Sequence, residues 1–191
     1  MKQGSPVVEF VTSDGRRCVL RAPIARDLNG LTRFANAFAK EKHNNPDLGL
    51  VSFDRRLTRE QEGRWLREII EGVAREEAVS VAAFVGGRVV GHSAIHRRRF
   101  KDDRHSGVFG IAVLDGYRGV GIGEKLMGEV LDRAWRIGIQ LVELDVFSNN
   151  VAAIRLYEKM GFKKAGTIPD KIFRRGRYYD EDVMFLDLRK R

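Results

Sequence analysis

At 191 residues, 43% of them hydrophobic, the chain is sized for one domain with a sizeable core. Its formal net charge of +9 attracts anionic partners in general, whether nucleic acid, an acidic membrane surface or a phosphate-bearing cofactor. Cys18 is the only cysteine, which excludes an intrachain disulfide and a cysteine-based zinc site, and no apolar run approaches the ~20 residues that span a bilayer.

Residues 1–10 lack the basic-then-apolar pattern of a signal peptide, so the expectation is a soluble, cytoplasmic protein. The basic residues form short clusters at 97–101, 174–177 and 189–191, each read first as solvated surface. Residues 7–12 and 16–22 have strand character around the Asp14-Gly15 turn signal. Asp27 is placed to cap a helix over 28–40, whose apolar face is Leu31, Phe34, Ala35 and Phe38; Asn44-Asn45-Pro46 ends it. Thr58 and Gln61 have the spacing of a capping box for a second helix reaching about residue 76. Trp65 and Trp135, both on helices, are expected in the core.

Strands are predicted at 79–85 and 88–96, on either side of Gly86-Gly87, and again at 107–114. Apolar residues at 122, 126, 127, 130, 131, 134 and 135 carry a helical period. Residues 141–147 alternate Val142, Leu144 and Val146 with Glu143 and Asp145, which predicts a strand with one polar face. A helix over 150–160 stops at Gly161, and 162–172 with 178–188 close the chain as a hairpin around Arg175-Gly176. This order of strands and helices predicts an α/β domain, with about four helices packed on a mixed sheet.

The segment Tyr117-Arg118-Gly119-Val120-Gly121-Ile122-Gly123 sits between a strand and a strongly amphipathic helix. Glycines there let the backbone bend closely, and the first N–H groups of a helix lack internal acceptors and carry partial positive charge. Such a turn can hold a pyrophosphate, with Arg118 as a cation at its rim. The P-loop is excluded because no Gly-Lys-Ser/Thr follows, and the dinucleotide fingerprint because the glycines run G-x-G-x-G. Taken alone, the turn is equally a tight strand-to-helix connection without a ligand.

Its surroundings are more specific. Arg118-x-x-Gly121-x-Gly123 resembles the Q/R-x-x-G-x-G/A signature of the Gcn5-related (GNAT) N-acetyltransferases, and Ile111-Ala112-Val113 resembles that family's cofactor-side strand. Downstream, Val146, Asn150, Ile154, Leu156-Tyr157 and Gly161-Phe162 resemble its second motif in order and spacing, so the resemblance covers roughly residues 80–188. It implies a mostly antiparallel sheet splayed between the fourth and fifth core strands, with acetyl-CoA in the gap. One domain over 1–191 would comprise N-terminal strands (1–22), acceptor-side helices (23–77), a cofactor-binding core (78–165) and a closing hairpin (166–191).

By the same resemblance, the backbone of Ile111, Ala112 and Val113 pairs with the pantetheine arm, and the amides of Arg118, Gly119, Val120, Gly121, Ile122 and Gly123 hold the pyrophosphate. Asn150 positions cofactor or substrate amides. Tyr157 matches the usual general acid toward the CoA sulfur and also touches the cofactor, although a core tyrosine is the competing reading. An aliphatic ammonium titrates at about 10, so a base or a water relay must remove its proton. Asp145 stands where a related group of enzymes has a glutamate base; Glu143 is a weaker rival, and a histidine base is a further option. His92 and His96 share a strand face with His105 nearby, but no carboxylate or cysteine completes a metal site at recognisable spacing, so no metal is expected.

The tail Gly166-Thr167, Phe173 to Asp180 and Met184 resembles the closing hairpin of small-amine N-acetyltransferases. The expected acceptor is therefore a small primary amine, such as an amino acid or polyamine. A protein N-terminus, as in ribosomal-protein acetyltransferases, is the alternative. A non-catalytic CoA-binding module and a basic nucleic-acid-binding module are carried as other classes, and the charge fits an anionic cofactor better than nucleic acid. No membrane partner is expected. A homodimer is compatible with the family, but no surface stripe establishes it.

Overall fold

The Asp14-Gly15 turn folds β1 (Pro6–Val11) back on β2 (Arg17–Arg21) in the computed structural model, which describes residues 6–45, 47, 49 and 55–191. Gly86 and Gly87, both at positive φ, do the same for β3 (Ala78–Val85) and β4 (Arg88–Arg97). Strand β5 (Ser106–Val113) follows, then β6 (Leu141–Phe147), β7 (Lys163–Arg174) and β8 (Arg177–Asp187). The sheet runs β1-β2-β3-β4-β5-β6-β8-β7.

Every neighbouring pair is antiparallel except β5 and β6. Those two run parallel and pair only at Ser106–Leu141, Gly107–Val142 and Val108–Glu143, then part. The parting is the splay expected between the fourth and fifth core strands. It falls between the fifth and sixth in this chain's own count, because the opening hairpin places two strands ahead of the helices.

Helices α1 (Leu28–Asn44) and α2 (Arg59–Ala74) cover one face of the sheet, where Leu31, Phe34, Phe38 and Leu66 pack on Ala82, Phe84 and Val89. Helices α3 (Ile122–Arg136) and α4 (Val151–Lys159) cover the other. There Leu126, Met127, Val130 and Leu131 of α3 are fully buried against Val81, Val90, Ile95 and Val142. Each of these large side chains contributes about 1.5–3 kcal/mol by leaving water, so this face supplies most of the core.

Two local expectations need correction. Asp27 precedes α1 but does not cap it: its carboxylate takes two hydrogen bonds from Arg21, at 2.6 and 2.7 Å, and one from the Ile24 amide at 2.9 Å. A bidentate guanidinium outcompetes a single helix amide for the same oxygens. Trp135 is half exposed at the end of α3, because the helical period turns it away from the sheet. The Thr58–Gln61 capping box is present as read. Helix α1 runs one turn further than expected, to Asn44, and Pro46 lies outside the described residues.

Candidate active site

Where β5 and β6 separate, each strand is left with an unpaired edge. The Leu114 amide donates to Val90, so the main-chain polar groups of Ala112 and Gly110 face β4, and by alternation those of Phe109, Ile111 and Val113 face the parting. Of the three residues expected to offer backbone groups there, Ile111 and Val113 do so. Ala112 spends its own on β4 and instead presents its side chain to the cavity beneath α1 and α2. The Val113 carbonyl is already engaged by the Arg118 Nε at 2.8 Å, which leaves its N–H as the available group.

At the far end of β5 the chain turns through residues 115–121 into α3. Gly119 and Gly121 have φ of +73° and +91°, a region that residues with a Cβ enter only with strain. A Cβ at either would meet nothing within 4 Å, so the space in front of the turn is open. Gly123 is needed for another reason. A Cβ there would sit 3.2 Å from Leu156, so its glycine lets α3 approach α4. Among the described residues, no main-chain N–H from Arg118 to Glu124 has a main-chain acceptor, while the Lys125 N–H closes the first turn on the Gly121 carbonyl. Seven consecutive donors at a helix start, with open space in front of Gly119 and Gly121, can hold a diphosphate.

The turn is held from behind. Arg118 is not a free cation: its guanidinium pairs with Glu41 of α1 at 2.5 Å. The Arg16 guanidinium stacks over Tyr117 at 4.3 Å and donates to the Gly116 carbonyl at 2.9 Å, and the Ser13 amide donates to Val120 at 3.3 Å. The first hairpin therefore braces a turn a hundred residues away. Ile122 is fully buried and anchors the helix start.

A cavity of about 840 Å³ opens from the parting, between β4, β5 and β6 on one side and α1 and α2 on the other. Tyr157 reaches it from α4 through the gap; it is 8% exposed and wedged edge-on against Phe109, with Phe162 beyond. Burial pushes its hydroxyl up to about 12, so it holds its proton throughout the physiological range. Asp145 lines the same cavity from the polar face of β6. Glu143 does not: it is paired with Arg98 at 2.7 Å.

His92 and His96 both line the cavity, and His105 does not. Burial, with His96 a smaller influence, pushes His92 down to about 4, and burial lowers His96 as well. His92 shares a hydrogen bond with Ser80 at 2.8 Å and meets Trp65 edge-on. Asn150 stands at the N-cap of α4, where its side-chain oxygen accepts the Ala153 amide at 3.3 Å; the structure brings it beside Gly49 and not onto the cavity wall.

Two lining carboxylates were not anticipated. Glu62 of α2 and Glu181 of β8 are 5% and 6% exposed, and burial raises both above the usual carboxylate range, with Asp145 adding to the effect on Glu181. Glu62 carried a readable signal, since it lies one turn before Leu66 and two before Ile69 on the inward face of an amphipathic helix. Glu181 carried none: it reaches the cavity because β8 registers it against Phe147.

The sequence profile of the Acetyltransferase (GNAT) family matches residues 42–162. The chain is 34% identical over 119 residues to the SPbeta prophage-derived uncharacterized N-acetyltransferase YokL of Bacillus subtilis (strain 168), a match covering 61% of this chain and 63% of that protein. It is 33% identical over 106 residues to the L-amino acid N-acetyltransferase AaaT of Escherichia coli (strain K12), covering 54% of this chain and 65% of that one. The matches thus span just under two thirds of these curated relatives. In three dimensions it is similar to an acetyltransferase of the GNAT family from Streptococcus pneumoniae, with a TM-score of 0.79 and 25% identity over 90% of this chain and 99% of the other.

Proposed function

Because this chain belongs to the GNAT acetyltransferase family, we propose that it moves an acetyl group from acetyl-CoA to the primary amine of a small molecule, by direct transfer in a ternary complex. The observation that carries the reading is the run of unengaged amides from Arg118 to Glu124, continuous with the free edge of β5 and ending at the cavity that holds Tyr157. A diphosphate, an amide-bearing arm and a reactive end group in that order match the three surfaces. The residues present fit the donor: the turn grips its diphosphate and the Ile111 and Val113 edge pairs with its arm.

Acetyl-CoA supplies an activated thioester. The Val113 N–H donates to the thioester carbonyl as negative charge gathers on its oxygen. Asp145, through a water relay, takes the proton of the acceptor ammonium. The amine nitrogen then forms its bond to the carbonyl carbon as the C–S bond breaks; Tyr157 gives its proton to the departing sulfur and regains one, through water, as the new amide nitrogen sheds its second proton. Atoms balance as N-acetyl amine plus coenzyme A, with one proton passed to solvent. Cys18 takes no part: it is fully buried in the core, and burial raises its thiol to about 11.

The test is thiol release from acetyl-CoA against a panel of primary amines, with Asp145→Asn beside the wild type. The wild type is expected to turn over at least one small amine. The variant should lose at least about tenfold at neutral pH and recover toward pH 9–10, where more of the amine is already neutral. A failure of every amine to release thiol, while acetyl-CoA still binds, would point to a non-catalytic CoA-binding protein. An Asp145→Asn profile parallel to the wild type at every pH would remove the aspartate from proton transfer.

A further inference from the structure

The cavity at the strand parting is lined by Glu62, Asp145 and Glu181. Glu62 and Glu181 are more than nine-tenths buried, and among the described residues neither carboxylate makes a hydrogen bond or an ion pair. Lys171 is close enough only to offset part of the effect of burial on Glu181. The neighbouring Asp182 shows the contrast. It is equally buried, but it accepts from Ser148 and Thr167 and pairs with Lys164, so its charge is spent on the fold.

A buried carboxylate is costly unless a cation or donor meets it. His92 does not meet that need, since burial holds it toward the neutral form, and His96 makes no ion pair with either carboxylate among the described residues. Arg55, the one guanidinium on the lining among the described residues, is exposed at the mouth and shared with an open basic groove beside Arg33, Lys40, Arg56 and Arg59. The interior of the cavity is therefore negative and its rim positive.

We propose that the acceptor carries a second ammonium group: a diamine or polyamine, with its reacting amine at Asp145 and Tyr157 and its other cation drawn by the buried carboxylates of the wall, Glu62 from α2 and Glu181 from β8. This rests on the acetyl-transfer reading above. A zwitterionic amino acid would instead bring its carboxylate to a wall that already has three. The chemistry at the reacting nitrogen is unchanged, and the second ammonium keeps its proton throughout.

The experiment compares 1,4-diaminobutane, spermidine, n-butylamine and methionine as acceptors for the full chain at saturating acetyl-CoA, with calorimetric titration of spermidine into the CoA-loaded protein alongside. The diamine and spermidine are expected to exceed both n-butylamine and methionine at least tenfold in kcat/KM. Glu62→Gln and Glu181→Gln should each cut the diamine-over-butylamine preference at least tenfold and weaken spermidine binding, while melting as cooperatively as the wild type. Preference for methionine, or a diamine preference untouched in both variants, overturns the proposal and leaves acetyl transfer standing. If no amine is acetylated, the transfer reading falls, and the titration alone decides: spermidine binding that the two variants weaken sustains the cation site, and no binding ends it.

Discussion

Tyr157→Phe is expected to lower kcat by about 10²–10³-fold while leaving the Kd for acetyl-CoA within about twofold. The ring sits against Phe109 and Phe162, and phenylalanine preserves that packing, so the variant removes little besides the hydroxyl. Among the described residues the hydroxyl donates to no acceptor, which leaves it available to a ligand in the cavity. Its proton is secure at working pH, since burial pushes the group up to about 12. The acidic form therefore persists across the whole range in which turnover can be measured, and no loss of activity from its ionisation is expected below about pH 11. Single-turnover thiol release and calorimetry check the two halves separately. A variant with wild-type kcat and weakened binding would make Tyr157 a packing residue that touches the cofactor, with no part in proton transfer.

Gly121→Val should abolish measurable acetyl-CoA binding, raising Kd at least about a hundredfold. The expected loss has two parts. A Cβ at φ +91° is strained by about 1–2 kcal/mol, more for a branched side chain, so the turn shifts away from the geometry that aims its amides. The side chain also projects into the open space that the diphosphate would fill. Gly121→Ala is the graded companion, with less strain and less bulk. Because nothing in the protein lies within 4 Å of the added Cβ, the fold should survive, and a cooperative melt would verify it. A folded valine variant that binds acetyl-CoA normally would contradict the phosphate-turn assignment.

The elements were legible because the chain is locally consistent: alternation in β6, the apolar period of α3 and the capping box of α2 each point to the structure that forms. The glycine turn was legible for the same reason, since its backbone needs are written in residue types. What escaped notice depends on register and on long-range contact. Arg16 and Ser13 give no sign in sequence that they brace residues 116–120, and Glu181 becomes a cavity residue only through its pairing with Phe147. Asp27 has the residue type and position of a cap, but its competitor for the same oxygens, Arg21, lies six residues away on β2, outside the local capping pattern. Asn150 caps α4 through its side-chain oxygen, a local role that its motif spacing did not spell out.

The most direct measurement of the central claim is calorimetric titration of the 191-residue protein with coenzyme A and, separately, with pantetheine, which shares the arm and the thiol but has no diphosphate. The amides of residues 118–124 predict clear coenzyme A binding that weakens at least a hundredfold for pantetheine, a difference that Gly121→Val should erase by lowering the tighter value. Equal affinity for the two ligands, or no binding of coenzyme A by folded protein, would contradict the account.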